Sequence, residues 1–144
     1  MKTPIRFYVL LTALLLLAAC KEEVIHPRLD EAFVLKTGEN AAIQSTNIVI
    51  ALDSIKDESR CPAHVDINCF WEGQVTAVVN VVQNGTSLGR FDLTLSGNGS
   101  GQQDKNEVSV SGYRIRLIQV DPYPTEIGSI PMRDYEARLR VSRI

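Results

Sequence analysis

Histidine is nearly missing from this 144-residue chain: there are two, His26 and His64, and no serine on a glycine elbow accompanies either. A Ser-His-Asp arrangement or a histidine-rich metal centre therefore has almost nothing to draw on. Basic runs are missing too. Lys and Arg number 15 against 17 Asp and Glu, the formal net charge is −2, and no stretch of sequence groups the cations. Binding to phosphate backbones needs clustered Lys and Arg, so nucleic acid is not an expected partner. Helix-period segments and internal repeats are absent beyond residue 20. The glycine-rich stretch Gly97-Asn98-Gly99-Ser100-Gly101 has neither the spacing nor the following helix of a phosphate cradle, and reads as a turn. Asp53, Asp57 and Glu58 sit at a strand end without an acid-base partner pattern, and Asp104, Asn106 and Glu107 lack the alternating order of a calcium loop. These absences lead us to expect no catalysis and no cofactor.

Apolar runs are scarce as well. The one of note, Phe7 to Ala19 broken only by Thr12, falls short of the roughly 20 residues a spanning helix needs. Lys2 and Arg6 precede it and no acid appears before Glu22, which is the layout of a cleaved secretion signal. The run ends at Leu17-Ala18-Ala19-Cys20, which resembles the lipobox of bacterial lipoproteins: a branched apolar residue, two small ones and the cysteine that is acylated. The resemblance implies cleavage before Cys20 and anchoring by its acyl chains, since one chain alone binds only marginally and two or three hold firmly. The next residues, Lys21-Glu22-Glu23, are similar to the export tag of surface-exposed Bacteroidetes lipoproteins, with a plain charged linker as the alternative. The expected location is the outer membrane, lipid-anchored and facing the cell surface. Losing Lys2 and Arg6 makes the mature chain more acidic still.

These signals divide the chain into a signal peptide at 1–19, a lipidated N-terminus and linker at 20–30, and one domain at 31–144, large enough for a real core. Within the domain the apolar pattern has period two, the mark of half-buried strands. Phe33 and Leu35 alternate before a turn at Gly38-Glu39-Asn40. Ile48, Ile50 and Leu52 share one face, and so do Val75, Ala77, Val79 and Val81, whose run meets Asn84-Gly85, a strong hairpin signal. Leu88 to Leu95 is the return strand. Val108 and Val110 follow, then Tyr113, Ile115, Leu117 and Val120, and finally Tyr135, Ala137, Leu139 and Val141. Roughly seven or eight such strands make an all-β antiparallel sandwich, with the immunoglobulin-like arrangement expected first.

The most distinctive stretch runs from Ser59-Arg60-Cys61-Pro62 to Cys69-Phe70-Trp71-Glu72-Gly73. With Tyr113-Arg114-Ile115-Arg116-Leu117, Pro122-Tyr123-Pro124 and Asp134-Tyr135-Glu136-Ala137-Arg138-Leu139, it resembles a family of small exported bacterial β-proteins with a Ser-Arg-Cys-Pro…Cys-x-Trp-x-Gly core, here with a longer spacing between the cysteines. That family has no established activity, so the resemblance implies fold and export and no catalysis. Two cysteines of an exported domain read first as a disulfide, Cys61 to Cys69, worth roughly 2.5 kcal/mol for so short a loop. The competing reading is a metal site from Cys61, His64, Asp66 and Cys69. Trp71 is expected as a core residue packed on the cystine, with a ligand platform as its alternative. Gly73 suggests a bulge or a close backbone approach.

The function expected from these residues is that of a lipid-anchored envelope protein whose non-catalytic β-domain serves as an interaction module or accessory subunit. Its partners would be the membrane, through the anchor, and an envelope protein or glycan, through loops 57–70 and 96–106. The alternatives are an envelope protease inhibitor presenting the Cys61 to Cys69 loop, or a metal-binding domain using that same loop. If Cys20 carries the lipid, Cys20→Ala leaves an unprocessed and unacylated precursor. Mass spectrometry of the mature protein checks this, and a plain N-terminus beyond residue 20 would sink the lipoprotein reading.

Overall fold

In a computed structural model the described residues are 24–64, 66–97 and 105–144. They form nine strands: β1 Val24–Ile25, β2 Ala32–Lys36, β3 Asn40–Ala42, β4 Ile48–Lys56, β5 Gln74–Gln83, β6 Thr86–Ser96, β7 Glu107–Val110, β8 Tyr113–Asp121 and β9 Glu136–Arg143. A short 3-10 turn, Met132–Asp134, precedes β9. Five strands make one sheet in the order β1-β3-β4-β5-β6, and four make the other in the order β2-β9-β8-β7. All pairings are antiparallel except that of β1 with β3. The chain is thus an all-β sandwich, as the period-two pattern predicts.

The core lies between the sheets and is built from the alternate residues of each strand. Ile50, Leu52, Val79, Val81 and Leu93 come from one sheet, and Leu35, Ile115, Leu117 and Leu139 from the other, all fully buried. Each such side chain contributes roughly 1.5–3 kcal/mol by leaving water. Hairpin turns close one end of the sandwich. Asn84 and Gly85 hold φ of 51° and 77°, and Ser111 and Gly112 hold 52° and 81°, the left-handed pairs that match strand twist in two-residue hairpins. This hairpin end also receives the C-terminus, where the Ile144 amide donates to the Gly112 carbonyl. The opposite end carries the three long connections 57–73, 97–106 and 122–135, and we call it the loop end.

Two details depart from the sequence reading. The stretch 20–30, expected as linker, contains β1: Val24 and Ile25 pair with Asn40 and Ala41, Pro27 is buried, and Leu29 packs against the core. The domain therefore begins no later than Val24. Asn40, expected within a turn, opens β3. Both strands are too short to display a period, and it is their neighbours in the sheet that make them strands.

Gly73 shows the close approach expected of it. Its φ is +74°, and a Cβ there would lie 1.9 Å from the Ser59 carbonyl oxygen, with backbone on both sides of the clash. Gly73→Ala is expected to cost the fold at least about 2 kcal/mol, combining left-handed strain with steric overlap, and urea unfolding checks it.

Candidate functional site

The 57–73 connection has a neck and a tip. In the neck the Ser59 amide donates to the Gln74 carbonyl (2.8 Å), the Cys61 amide to Glu72 (3.4 Å) and the Gly97 amide to Gly73 (2.8 Å). Beyond it, Cys61 and Cys69 form the expected disulfide with Cα atoms 6.1 Å apart. The Ala63 amide donates to the Pro124 carbonyl (2.9 Å), which ties the tip to the 122–135 connection.

What fixes the neck to the sandwich is Arg60, whose side chain is 5% exposed. Its Nε and Nη2 donate to the Glu58 carboxylate at 2.9 and 2.5 Å, its Nη1 to the Val120 carbonyl at 2.8 Å, and Nη2 again to the Pro122 carbonyl at 3.1 Å. The Tyr123 ring lies 4.8 Å from the guanidinium carbon, close enough for a cation–π contact. Tyr135 closes the cluster by donating its hydroxyl to Glu58 Oε2 at 3.3 Å. Burial, reinforced by the facing Glu58 carboxylate, pushes the Tyr135 phenol up to about 12.

Trp71 is not in the core. It is 61% exposed and its neighbour Phe70 is wholly exposed at 106%. The reason is the position of the cystine, which links two residues of one loop outside the sheets instead of bridging them. A tryptophan beside it therefore lies outside as well. Ile67, Tyr123, Ile127 and Met132 are exposed at this same end. Six of the exposed large apolar side chains thus gather on two adjoining loops.

The disulfide removes both thiolates from the competing metal reading. His64 and Asp66 are exposed on the tip, and among the described residues no cluster of His, Cys, Asp or Glu could hold a metal. The candidate acids are dispersed. Asp53 pairs with Arg90 (2.7 Å), Glu58 is held by Arg60, and Asp57 turns the chain at φ 54°. Asn106 donates to the Leu117 carbonyl and Glu107 faces arginines, while Asp104 lies outside the described residues. So do Cys20, Lys21, Glu22 and Glu23.

A second surface escaped the linear reading. The strand register sets Arg116 of β8 directly opposite Arg140 of β9, with Arg114 opposite Ser142 and Arg138 opposite Gln119. Sequence alternation puts Arg114, Arg116, Arg138 and Arg140 on the outer face of the four-stranded sheet. Glu107 of β7 bonds Arg116 at 2.7 and 2.5 Å and approaches Arg114 at 3.5 Å. Arg138 and Arg140 have no acid within 4 Å among the described residues. Asp30, Arg114, Arg116, Arg140 and Ser142 line a surface hollow of about 190 Å³. The signal was present as two Arg-x-Arg repeats on two of the expected strands, which the fold makes neighbours. No contiguous run displays it.

The Tyr135 shift carries a pH dependence. A phenol near 12 in the fold and about 10 when unfolded favours the folded state fully below pH 10, and this contribution is lost as pH rises through 12. Between those limits wild type is expected to lose roughly 2 kcal/mol more than Tyr135→Phe, measured by urea unfolding at pH 8, 10 and 11.5. Compared with models of protein families, with curated proteins and with solved structures, the chain matches none.

Proposed function

We propose that the protein is a lipid-anchored, non-enzymatic module of the cell envelope that binds an acidic glycan through the arginine face of its four-stranded sheet. The anchor follows from Leu17-Ala18-Ala19-Cys20 and its basic, apolar leader. An outer-membrane position and an outward orientation remain part of this proposal, resting on Lys21-Glu22-Glu23 and on the likeness of Ser59 to Gly73 to exported β-proteins.

The observation that carries the binding reading is the Arg116–Arg140 pair. Like charges directly across a strand pair destabilise a sheet, and here two more guanidiniums flank them, with Glu107 bonded to Arg116 on one side and the Asp30 carboxylate lining the hollow beyond ion-pair distance. An oxyanion between the strands would relieve the repulsion, and the planar guanidinium matches a carboxylate or phosphate through paired hydrogen bonds. Asp30 and Ser142 line the same hollow with side chains able to accept hydrogen bonds. A bare anion gains nothing from Asp30, but a sugar that carries its charge beside hydroxyl groups satisfies both chemistries.

The test is calorimetric titration of the detergent-solubilised mature protein with polyuronate and phosphorylated oligosaccharides, using a neutral oligosaccharide and an oligonucleotide as controls. Binding to one acidic sugar class is expected, weakened at least tenfold by Arg116→Gln with Arg140→Gln and falling with salt. Equal binding by wild type and the double variant, or tighter binding of the oligonucleotide, would refute it.

A further inference from the structure

The course of the first strand says which way the anchored domain stands. β1 runs parallel to β3, with Val24 opposite Asn40, and Asn40 lies opposite Ala51 of the antiparallel β4. Followed forward, β1 heads for the hairpin end. Its opposite direction points toward Lys56 and the loop end. Cys20 lies no more than ~14 Å from Val24, because an extended chain spans at most about 3.5 Å per residue. The stretch from Ala51 to Lys56 is itself roughly 17 Å long at about 3.3 Å per residue. If residues 20–23 continue in the line of β1, acyl chains on Cys20 enter the bilayer close to the level at which the loop end begins.

The side chains at that end suit the contact. Phe70 and Trp71 stand on a tip held by the Cys61–Cys69 disulfide, Ile67 is exposed on that same tip, and Tyr123, Ile127 and Met132 are exposed on the connection bonded to it through Ala63 and Pro124. At the hairpin end the one large apolar side chain exposed among the described residues is Ile144. Trp, Tyr and Phe favour the membrane interface, where an apolar ring can sink while polar edges stay wet. Five residues of the 59–73 stretch have a task within the fold. Ser59 bonds Gln74, Arg60 binds Glu58 and two carbonyls, Cys61 and Cys69 join, and Gly73 admits the Ser59 carbonyl. Trp71 has none.

We infer that the loop end is a membrane seat: with Cys20 acylated, Phe70, Trp71, Ile67 and Ile127 rest in the lipid interface beside the anchor. The inference rests on the anchoring proposed above. The seat is apolar in character. Asp57, Asp66, Glu72, Glu126 and Asp134 are exposed at this end, against Lys56, Lys105, Arg133 and His64. Neutral lipids should accept it better than anionic ones, and salt should not release it.

Trp71 is the only tryptophan, so its fluorescence reads the seat directly. The experiment uses the acylated mature protein in phosphatidylcholine vesicles, with mass spectrometry of the same sample and sedimentation of the vesicles. The expected result is emission shifted to shorter wavelength, at least threefold protection from aqueous iodide, and quenching by lipids brominated near the carbonyl end of their chains. Phe70→Ser with Ile127→Ser should return Trp71 to iodide while the protein still sediments. Acylated, sedimenting protein whose Trp71 is as open to iodide as a free tryptophan amide would overturn the seat and leave the anchor standing. Protection from iodide without quenching by brominated lipid would assign the tip to a protein contact and likewise overturn it. A sample without acyl chains would remove the anchor, and the seat with it.

Discussion

The Arg60 guanidinium sits where water does not reach, and a buried cation is tolerable only with its donors answered and its charge balanced. Both conditions are met from separate parts of the chain. Glu58, just past β4, supplies the countercharge, Val120 of β8 and Pro122 beyond it supply carbonyls, and Tyr123 covers the remaining face. Tyr135, just before β9, orients the carboxylate in turn. The sheets elsewhere meet through apolar side chains, which attract without direction. At the loop end they are joined by directional bonds, so the 57–73 and 122–135 connections hold fixed positions relative to each other. The disulfide then stiffens a tip whose base is already set.

The order of these contacts explains which parts of the molecule could be read from its sequence. Strands β4, β5, β8 and β9 each span enough residues for alternation to show, and Ile48-x-Ile50-x-Leu52 and Tyr135-x-Ala137-x-Leu139-x-Val141 mark their buried faces without ambiguity. Asn84-Gly85 marks its hairpin for a local reason, the left-handed backbone both residues adopt. β1 and β3 could not be read, because two or three residues carry no period and only the partner strand makes them extended. Trp71 was misread because a cystine next to a tryptophan suggests a core when the disulfide bridges two sheets, and here it closes one loop.

Arg60 illustrates the remaining gap. Between Ser59 and Cys61 it looks like any surface cation, and only the tertiary approach of Val120 and Pro122 buries it. The arginine face is the converse case. Its four residues look scattered, since alternate positions on two strands never form a run, and only the register of β8 against β9 collects them. Basic clustering along the chain and basic clustering in space are different quantities, and in a β-protein the second depends on pairing.

The two sheets also treat their outward charges differently. On the five-stranded sheet the cations come in matched pairs: Lys56 meets Asp92 at 2.6 Å, an arrangement that raises the lysine's affinity for its proton, and Arg90 meets Asp53 at 2.7 Å. On the four-stranded sheet Glu107 bonds Arg116 and approaches Arg114, while Arg138 and Arg140 stand without such a partner among the described residues. Exposed pairs of either kind contribute little to stability, so the difference is not one the fold requires. It separates a face whose Lys56 and Arg90 are each in an ion pair from one where Arg138 and Arg140 are not. With the loop end toward a bilayer, the strands would run away from the membrane and both outer faces would stand upright, open to the side. The second face would then be accessible at a short height above the lipid.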